Sequence, residues 1–134
     1  MKEGKKSVLE GVPRSLPALV KASRIQDKVA GVGFDWEEPQ QVFEKLQEEL
    51  AELQEEVEAR DQEKIEAEFG DVMFSMINYA RFLKVDAESA LERTNKKFIK
   101  RFQYLEQKAK ENNKALPDMT LGEMDIFWEE AKKL

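Results

Sequence analysis

The sequence predicts an all-α protein, a bundle of about five helices. Glycine and proline number only 6 and 4, so long stretches run without a helix breaker. Apolar residues make up 41% of the chain and charged residues 37%, a mixture typical of amphipathic helices. No segment shows a convincing alternation of apolar and polar residues, which is the pattern of a half-buried β-strand. At 134 residues, the chain is expected to form a single domain over residues 1–134, with residues 1–10 flexible.

Turn residues delimit the first two predicted helices. The first runs from about Leu16 to Ala30 and ends at the turn GVGF. The second covers Pro39 to Ala59, because proline is accepted in a first helical turn. Its predicted core face is an arc of apolar residues at helical spacing: Val42, Leu46, Leu50, Leu53 and Val57. Glu49 lies at the edge of this arc, where a carboxylate needs a partner to offset its desolvation.

The third helix is predicted to be central in the fold. It starts at Asp61, a good N-cap, and runs to about Leu83. Residues 69–83, FGDVMFSMINYARFL, are apolar around nearly the whole circumference. Its one polar stripe is therefore expected to be enclosed rather than washed by bulk water, and consists of Glu68, Asp71, Ser75 and Asn78.

The fourth and fifth helices complete the predicted bundle. The fourth runs from Asp86 to about Asn112, and the fifth opens with a capping box of Thr120 and Glu123. The core face predicted for the fourth helix consists of Leu91, Phe98, Ile99, Phe102 and Leu105. Asn95 lies in the middle of that face, so it is predicted to be buried, where it either caps a neighbour's backbone or contacts a ligand. Lys97 and Arg101 flank the same face, although basic residues in such a stripe are most often solvated.

Missing residue types exclude several kinds of chemistry. Without cysteine there are no disulfides, thiolate metal sites or cysteine nucleophiles, and without histidine there is no Ser-His-Asp catalysis. No apolar run reaches membrane-spanning length, and the net charge of −6 argues against general nucleic-acid binding. A cytoplasmic location without membrane or nucleic-acid partners is expected. Any catalysis must therefore use carboxylates, lysine, arginine and a metal ion.

Two acidic pairs, Glu49/Glu52 and Glu68/Asp71, suggest such a site. The short connection near Arg60 requires their helices to pack antiparallel, so both pairs can face one cavity. Hard oxygen donors select Mg²⁺, with Mn²⁺ as a substitute, and the basic fourth helix can neutralise phosphates. This equipment suits attack by a metal-activated water on a phosphoanhydride. The alternative is a charged bundle with no site, because E-x-x-E occurs by chance in glutamate-rich helices.

Two segments of the chain resemble the MazG nucleoside triphosphate pyrophosphohydrolases: KLQEELAELQEEV at 45–57 and EFGDVMFSMINYARFLKVDAESALERTNKKFIKRF at 68–102. The family's E-E-x-x-E signature falls on Glu48, Glu49 and Glu52, and its E-x-x-D signature on Glu68 and Asp71. VGFDW at 32–36 and EMDIFWEEAK at 123–132 are also similar to MazG proteins.

The resemblance implies a MazG-like bundle whose four-helix core is completed by forming a homodimer or higher homo-oligomer. It implies Mg²⁺ bound by Glu49, Glu52, Glu68 and Asp71. It also implies hydrolysis of nucleoside or deoxynucleoside triphosphates to monophosphate and pyrophosphate, by water attacking the α-phosphorus. Further implied substrate contacts are Lys97 and Arg101 to phosphates, Asn95 to sugar or phosphate, and Trp128 near the base. Phe34 and Trp36 are weaker candidates, because aromatic residues beside a glycine turn usually serve packing.

Several alternatives stay open at this point. EGVPRSLPALVKA at 10–22 resembles the entry to the catalytic half of tandem MazG proteins, so the chain is either a short protein or half of a longer one. The activity could be restricted to one nucleotide, such as dUTP or dCTP. The fold could instead serve as a catalytically silent nucleotide- or partner-binding regulatory module, or as a purely structural bundle. Base and sugar preference, physiological role, oligomer size and the number of metal ions are not set by these residues.

Overall fold

The computed structural model describes residues 7–134, and the prediction of an all-α fold with five helices is confirmed. The α-helices are α1 (Ala18–Ala30), α2 (Pro39–Ala59), α3 (Gln62–Phe82), α4 (Ala87–Glu111) and α5 (Leu121–Lys132), with a 3₁₀ turn at Leu116–Asp118. No helix within residues 7–134 is both long and apolar enough to cross a bilayer. Residues 1–6, part of the segment predicted to be flexible, lie outside the described residues.

Local caps set the helix ends where the sequence predicts them. Pro39 opens α2, and the side chains of Glu38 and Gln41 form a capping box there. Asp61 caps α3 by accepting a hydrogen bond from the Lys64 backbone N–H. Arg60 ends α2 in a left-handed conformation, with φ of 59°, so two residues suffice to reverse the chain between α2 and α3. The predicted capping box of Thr120 and Glu123 opens α5.

The described residues divide into two compact units, the first ending at Glu88 and the second covering Ser89–Leu134. In the first unit, α2 packs along α3 and α1 packs on α3. Its buried side chains include Val42 and Leu46 on α2 and Ile77 on α3. Within the second unit, the Tyr104 hydroxyl donates a hydrogen bond to Glu130, and Phe98 contacts Trp128. The single domain predicted over residues 1–134 stays a prediction.

The predicted enclosure of α2 and α3 is only partly right. Val42 and Leu46 are buried, but Leu50 is 48% exposed. On α3, Ser75 and Ile77 are buried while many of its apolar side chains, which predicted a central helix, are exposed: Phe69, Met73, Phe74 and Met76. The physical reason is that α1 covers only part of α3, so an apolar circumference does not guarantee burial within one chain.

The predicted burial of Asn95 is wrong. Asn95 is exposed on α4, and its apolar neighbours Leu91, Phe98 and Ile99 are at least 50% exposed. Only Leu105, at the far end of the predicted face, is buried. The apolar stripe indicates which side of α4 can pack, but it does not say that the packing partner belongs to the same chain.

Candidate active site

Three carboxylates from two helices converge in the first unit. One carboxylate oxygen each of Glu49, Glu68 and Asp71 lies within 4.8 Å of the other two. Glu49 lies on α2, and Glu68 and Asp71 lie one turn apart on α3. The two-residue connection between the helices brings these faces together, as the acidic pairs predict. We call Glu49, Glu68 and Asp71 the acidic cluster.

Burial makes the acidic cluster different from an ordinary charged surface. Glu49 is only 6% exposed, Glu68 is half-buried and Asp71 is exposed. Within residues 7–134, the buried oxygens Glu49 Oε2 and Glu68 Oε2 have no hydrogen-bond partner. A buried carboxylate oxygen without a donor is destabilising, so these two atoms call for a cation or a shared proton.

Burial and mutual repulsion raise the pKa values of two carboxylates in this region, Glu68 and Glu52. The pKa of Glu68 is raised, first by burial and then by the charges of Glu52, Asp71 and Glu49. The pKa of Glu52 is also raised, first by the charge of Glu49 and then by burial. Glu52 is not part of the acidic cluster, but it lies one turn after Glu49 on α2, where the negative charge of Glu49 acts on its carboxylate. The four predicted ligands therefore share one region of negative potential.

The residues of the acidic cluster fit a small divalent cation. Their donors are hard carboxylate oxygens, and no histidine or cysteine in the chain offers a softer ligand. Two of the oxygens are buried and unpaired, so a cation between them would offset the desolvation that the protein alone leaves uncompensated. Three carboxylates also leave coordination positions for water or phosphate oxygens, as Mg²⁺ prefers.

Lys45 also contacts this site, although it was not among the residues predicted for it. Its ammonium lies 2.9 Å from Glu49 Oε1 and 3.4 Å from Glu48 Oε1. The position of Lys45, four residues before Glu49 on α2, makes this contact possible but does not specify it.

A cavity of about 410 Å³ lies beside the turn that contains Phe34 and Trp36. Both aromatic residues line it, together with Phe74 and Asn78 of α3. Phe34 is 78% exposed and Trp36 is 43% exposed, so neither side chain is buried in the core. Aromatic side chains with a few polar groups are typical of pockets that bind small molecules.

Arg81 ties this turn to α1 and α3. Its guanidinium donates hydrogen bonds to Asp27 at 3.0 Å, Asp35 at 3.2 Å and Asn78 at 2.6 Å. Gln26 reinforces the contact between α1 and α3 by donating a side-chain hydrogen bond to the Phe74 carbonyl, at 2.9 Å. The sequence gives no signal for the ion pairs of Arg81, because Asp35 and Asp27 precede it by 46 and 54 positions.

The other predicted substrate contacts belong to the second unit. On α4, Asn95 and Lys97 are exposed and Arg101 is half-buried. Trp128 of α5 is half-buried, and its ring centroid lies 4.8 Å from that of Phe98. The face of α4 that includes Asn95 is thus open and basic at its flank, which suits an anionic ligand.

The segment that contains both acidic pairs also identifies the family. Residues 37–105 match the family described as the MazG nucleotide pyrophosphohydrolase domain. The chain belongs to this family. The resemblance inferred from the sequence motifs is therefore confirmed.

Three curated relatives of this family member cover most of the chain. It is 44% identical to the "Nucleoside triphosphate pyrophosphohydrolase/pyrophosphatase MazG" of Thermotoga maritima over 87% of its length, which is 45% of that relative. It is 40% identical to the "Nucleoside triphosphate pyrophosphohydrolase" of Escherichia coli K12 over 95% of its length, 49% of that relative. It is 48% identical to the "Uncharacterized protein YabN" of Bacillus subtilis over 95% of its length, 26% of that relative. The chain thus spans about half the length of the two named pyrophosphohydrolases.

Proposed function

We propose that the chain hydrolyses nucleoside or deoxynucleoside triphosphates to monophosphate and pyrophosphate, using Mg²⁺. The observation that carries this proposal is the acidic cluster, with the buried and unpaired oxygens of Glu49 and Glu68. Such a group of acids is destabilising unless a cation occupies it. The names of the relatives from Thermotoga maritima and Escherichia coli support this reaction, and Mn²⁺ is the natural substitute for Mg²⁺.

The acidic residues would hold the metal and orient the reaction. Glu49, Glu68 and Asp71 are its proposed ligands, with Glu52 adjacent on α2 as a fourth. When bound, Mg²⁺ supplies positive charge that activates water and neutralises the triphosphate. The oxygen of the water forms a bond to the α-phosphorus, the bond to the α–β bridging oxygen breaks, and pyrophosphate leaves with that oxygen. The proton lost by the water passes to a neighbouring carboxylate or to solvent.

Basic and aromatic residues would bind the rest of the substrate. Lys97 and Arg101 are the proposed phosphate contacts, and Asn95 is the proposed contact to the sugar or a phosphate. Trp128 is the proposed neighbour of the base. The cavity beside Phe34 and Trp36 has the size and the aromatic lining for a second contact with a base.

A second copy of the chain is the proposed cover for the exposed apolar side chains. On α3 these are Phe69, Met73 and Met76, which recur at helical spacing on one side. Leu50 and Val57 form a similar stripe on α2. Apolar stripes on adjacent helices are typical of an interface between copies, so we propose a homodimer or higher homo-oligomer. The cytoplasmic location stays a prediction.

Product analysis tests the proposed reaction. The protein is incubated with each ribonucleoside and deoxyribonucleoside triphosphate and Mg²⁺, and monophosphate and pyrophosphate are quantified. We expect both products in equal amounts, no turnover in EDTA, and a large loss of turnover in Glu52→Gln. Glu55→Gln, an exposed position on the same helix, is the matched control. Folded protein that binds nucleotide without releasing pyrophosphate would instead indicate the silent regulatory module, and kcat/KM across the panel decides whether one nucleotide is preferred.

A further inference from the structure

Lys45 is paired with an unusual partner. Most lysine–glutamate pairs four residues apart on a helix are solvated on both sides and contribute little to stability. Here the Lys45 ammonium is 2.9 Å from a carboxylate whose side chain is only 8% exposed, whereas the Lys45 side chain is 37% exposed. The second oxygen of that carboxylate, Glu49 Oε2, is one of the three buried side-chain oxygens without a hydrogen-bond partner in the described part of the chain.

Lys64 provides the internal comparison. It precedes Glu68 on α3 by four residues, as Lys45 precedes Glu49 on α2. Within residues 7–134, however, no ion pair joins Lys64 to Glu68. The same sequence spacing therefore gives an ion pair at only one of the two helices that contribute to the acidic cluster. Spacing alone does not explain the contact of Lys45.

We propose that Lys45 is a resident counter-cation of the metal site, which stabilises the acidic cluster while no metal is bound and weakens the affinity of the cluster for divalent cations. This inference rests on the metal site of the proposed function. Lys45 neutralises part of the charge that would otherwise repel within the cluster, because its ammonium lies 2.9 Å from Glu49 Oε1. A dication that binds Glu49 Oε2 then meets a positive charge on the other oxygen of the same carboxylate.

The physical consequence is a linkage between the two cations. A ligand shifts stability and affinity only through its different interaction with each state, so a charge that stabilises the metal-free protein lowers the net gain from metal binding. Removing a unit charge a few ångströms from a dication in a partly wet site changes its affinity by roughly tenfold. A residue that merely positions Glu49 would have the opposite effect, because its loss would weaken metal binding.

Metal titration of the full chain separates these two roles. Mg²⁺ binding is measured by calorimetry, without nucleotide, for wild type, Lys45→Met, Lys45→Arg and the matched control Lys64→Met. We expect Lys45→Met to bind Mg²⁺ roughly tenfold more tightly. Lys45→Arg keeps the charge and should bind like wild type, as should Lys64→Met. An unchanged or weaker affinity in Lys45→Met, or an equal gain in Lys64→Met, would overturn the proposal.

Thermal unfolding provides a second readout. In EDTA, Lys45→Met should melt about 2 °C or more below wild type, because the acidic cluster has lost its counter-cation. At saturating Mg²⁺ the two melting temperatures should converge or cross. A difference that is the same with and without Mg²⁺ would assign Lys45 a purely structural role and overturn the proposal. If the wild-type protein binds no Mg²⁺, the metal site itself is rejected. If the wild type binds Mg²⁺ and releases pyrophosphate, but Lys45→Met has the same Mg²⁺ affinity as wild type, only the role of Lys45 is rejected.

Discussion

Glu49 is a charged residue in a position that otherwise suits a hydrophobic one. It is 6% exposed and lies one turn after Leu46, which belongs to the core. Burying a carboxylate is unfavourable unless it is paired and hydrogen-bonded, and only one of its two oxygens has a lysine partner. The burial of Glu49 therefore lowers the stability of the metal-free protein, as expected if the proposed role of Glu49 is to bind a cation.

The substitutions Glu49→Gln and Asp71→Asn test whether these carboxylates lower stability and serve the reaction. Each removes one negative charge from the acidic cluster while keeping the shape of the side chain. We expect each to lower kcat/KM by at least about 100-fold, and to leave the melting temperature in EDTA unchanged or higher because repulsion is relieved. Glu55→Gln should alter neither quantity. A variant that unfolds would show that its carboxylate serves the fold. A folded variant that retains full turnover would show that its carboxylate is not needed for the reaction.

Arg81 acts at the scale of elements, because it joins α1, α3 and the turn between α1 and α2. Its side chain is 17% exposed, and its partners Asp27 and Asp35 come from different segments. We expect Arg81→Met to lower the free energy of unfolding by about 1–2 kcal/mol, a value that allows for solvent screening at the exposed Asp27. Urea unfolding measures this change. Arg24→Met on α1 is the control, and an equal loss in both variants would rule out a specific role for the Arg81 contacts.

Glu123 gives the start of α5 a defined pH dependence. The pKa of Glu123 is lowered from its usual 4.5 to about 2, mainly by the hydrogen bond from Lys114 and then by those with Thr120. Because the pKa is lower in the folded state, the stabilisation is complete above about pH 4.5 and is lost as the pH falls towards 2. The stability difference between wild type and Glu123→Gln should therefore shrink from pH 5 to pH 3 in urea titrations. A difference that grows over this range would contradict the assignment.

Element boundaries were predictable because their causes are local. Pro39, Asp61 and Thr120 each set a helix start through contacts within a few residues, and the structure places those starts where the sequence predicts them. The convergence of Glu49 with Glu68 and Asp71 also followed from a two-residue connection. Burial was harder to predict, since Asn95 lies on an apolar stripe whose cover is not specified by the stripe itself. The partners of Arg81 could not be predicted, because they depend on packing between distant segments.

At the scale of the whole molecule, exposed apolar stripes predict self-association. Met76 is 56% exposed on α3, on the same side of the helix as Phe69 and Met73. We expect Met76→Glu to shift the protein to monomer in analytical ultracentrifugation, because a carboxylate would be buried without a partner in the interface. Leu121→Glu is the control, since Leu121 is 82% exposed and starts α5, where an acid is favourable. A wild type that sediments as a monomer would contradict the proposed homo-oligomer.

Hydrolysis in ¹⁸O-labelled water tests the central claim most directly. Residues of the acidic cluster are proposed to direct a water to the α-phosphorus of a nucleoside triphosphate in the presence of Mg²⁺. Mass spectrometry of the products should then find the ¹⁸O label in the nucleoside monophosphate and none in the pyrophosphate. A label in the pyrophosphate, release of inorganic phosphate instead, or full turnover in EDTA would contradict the claim.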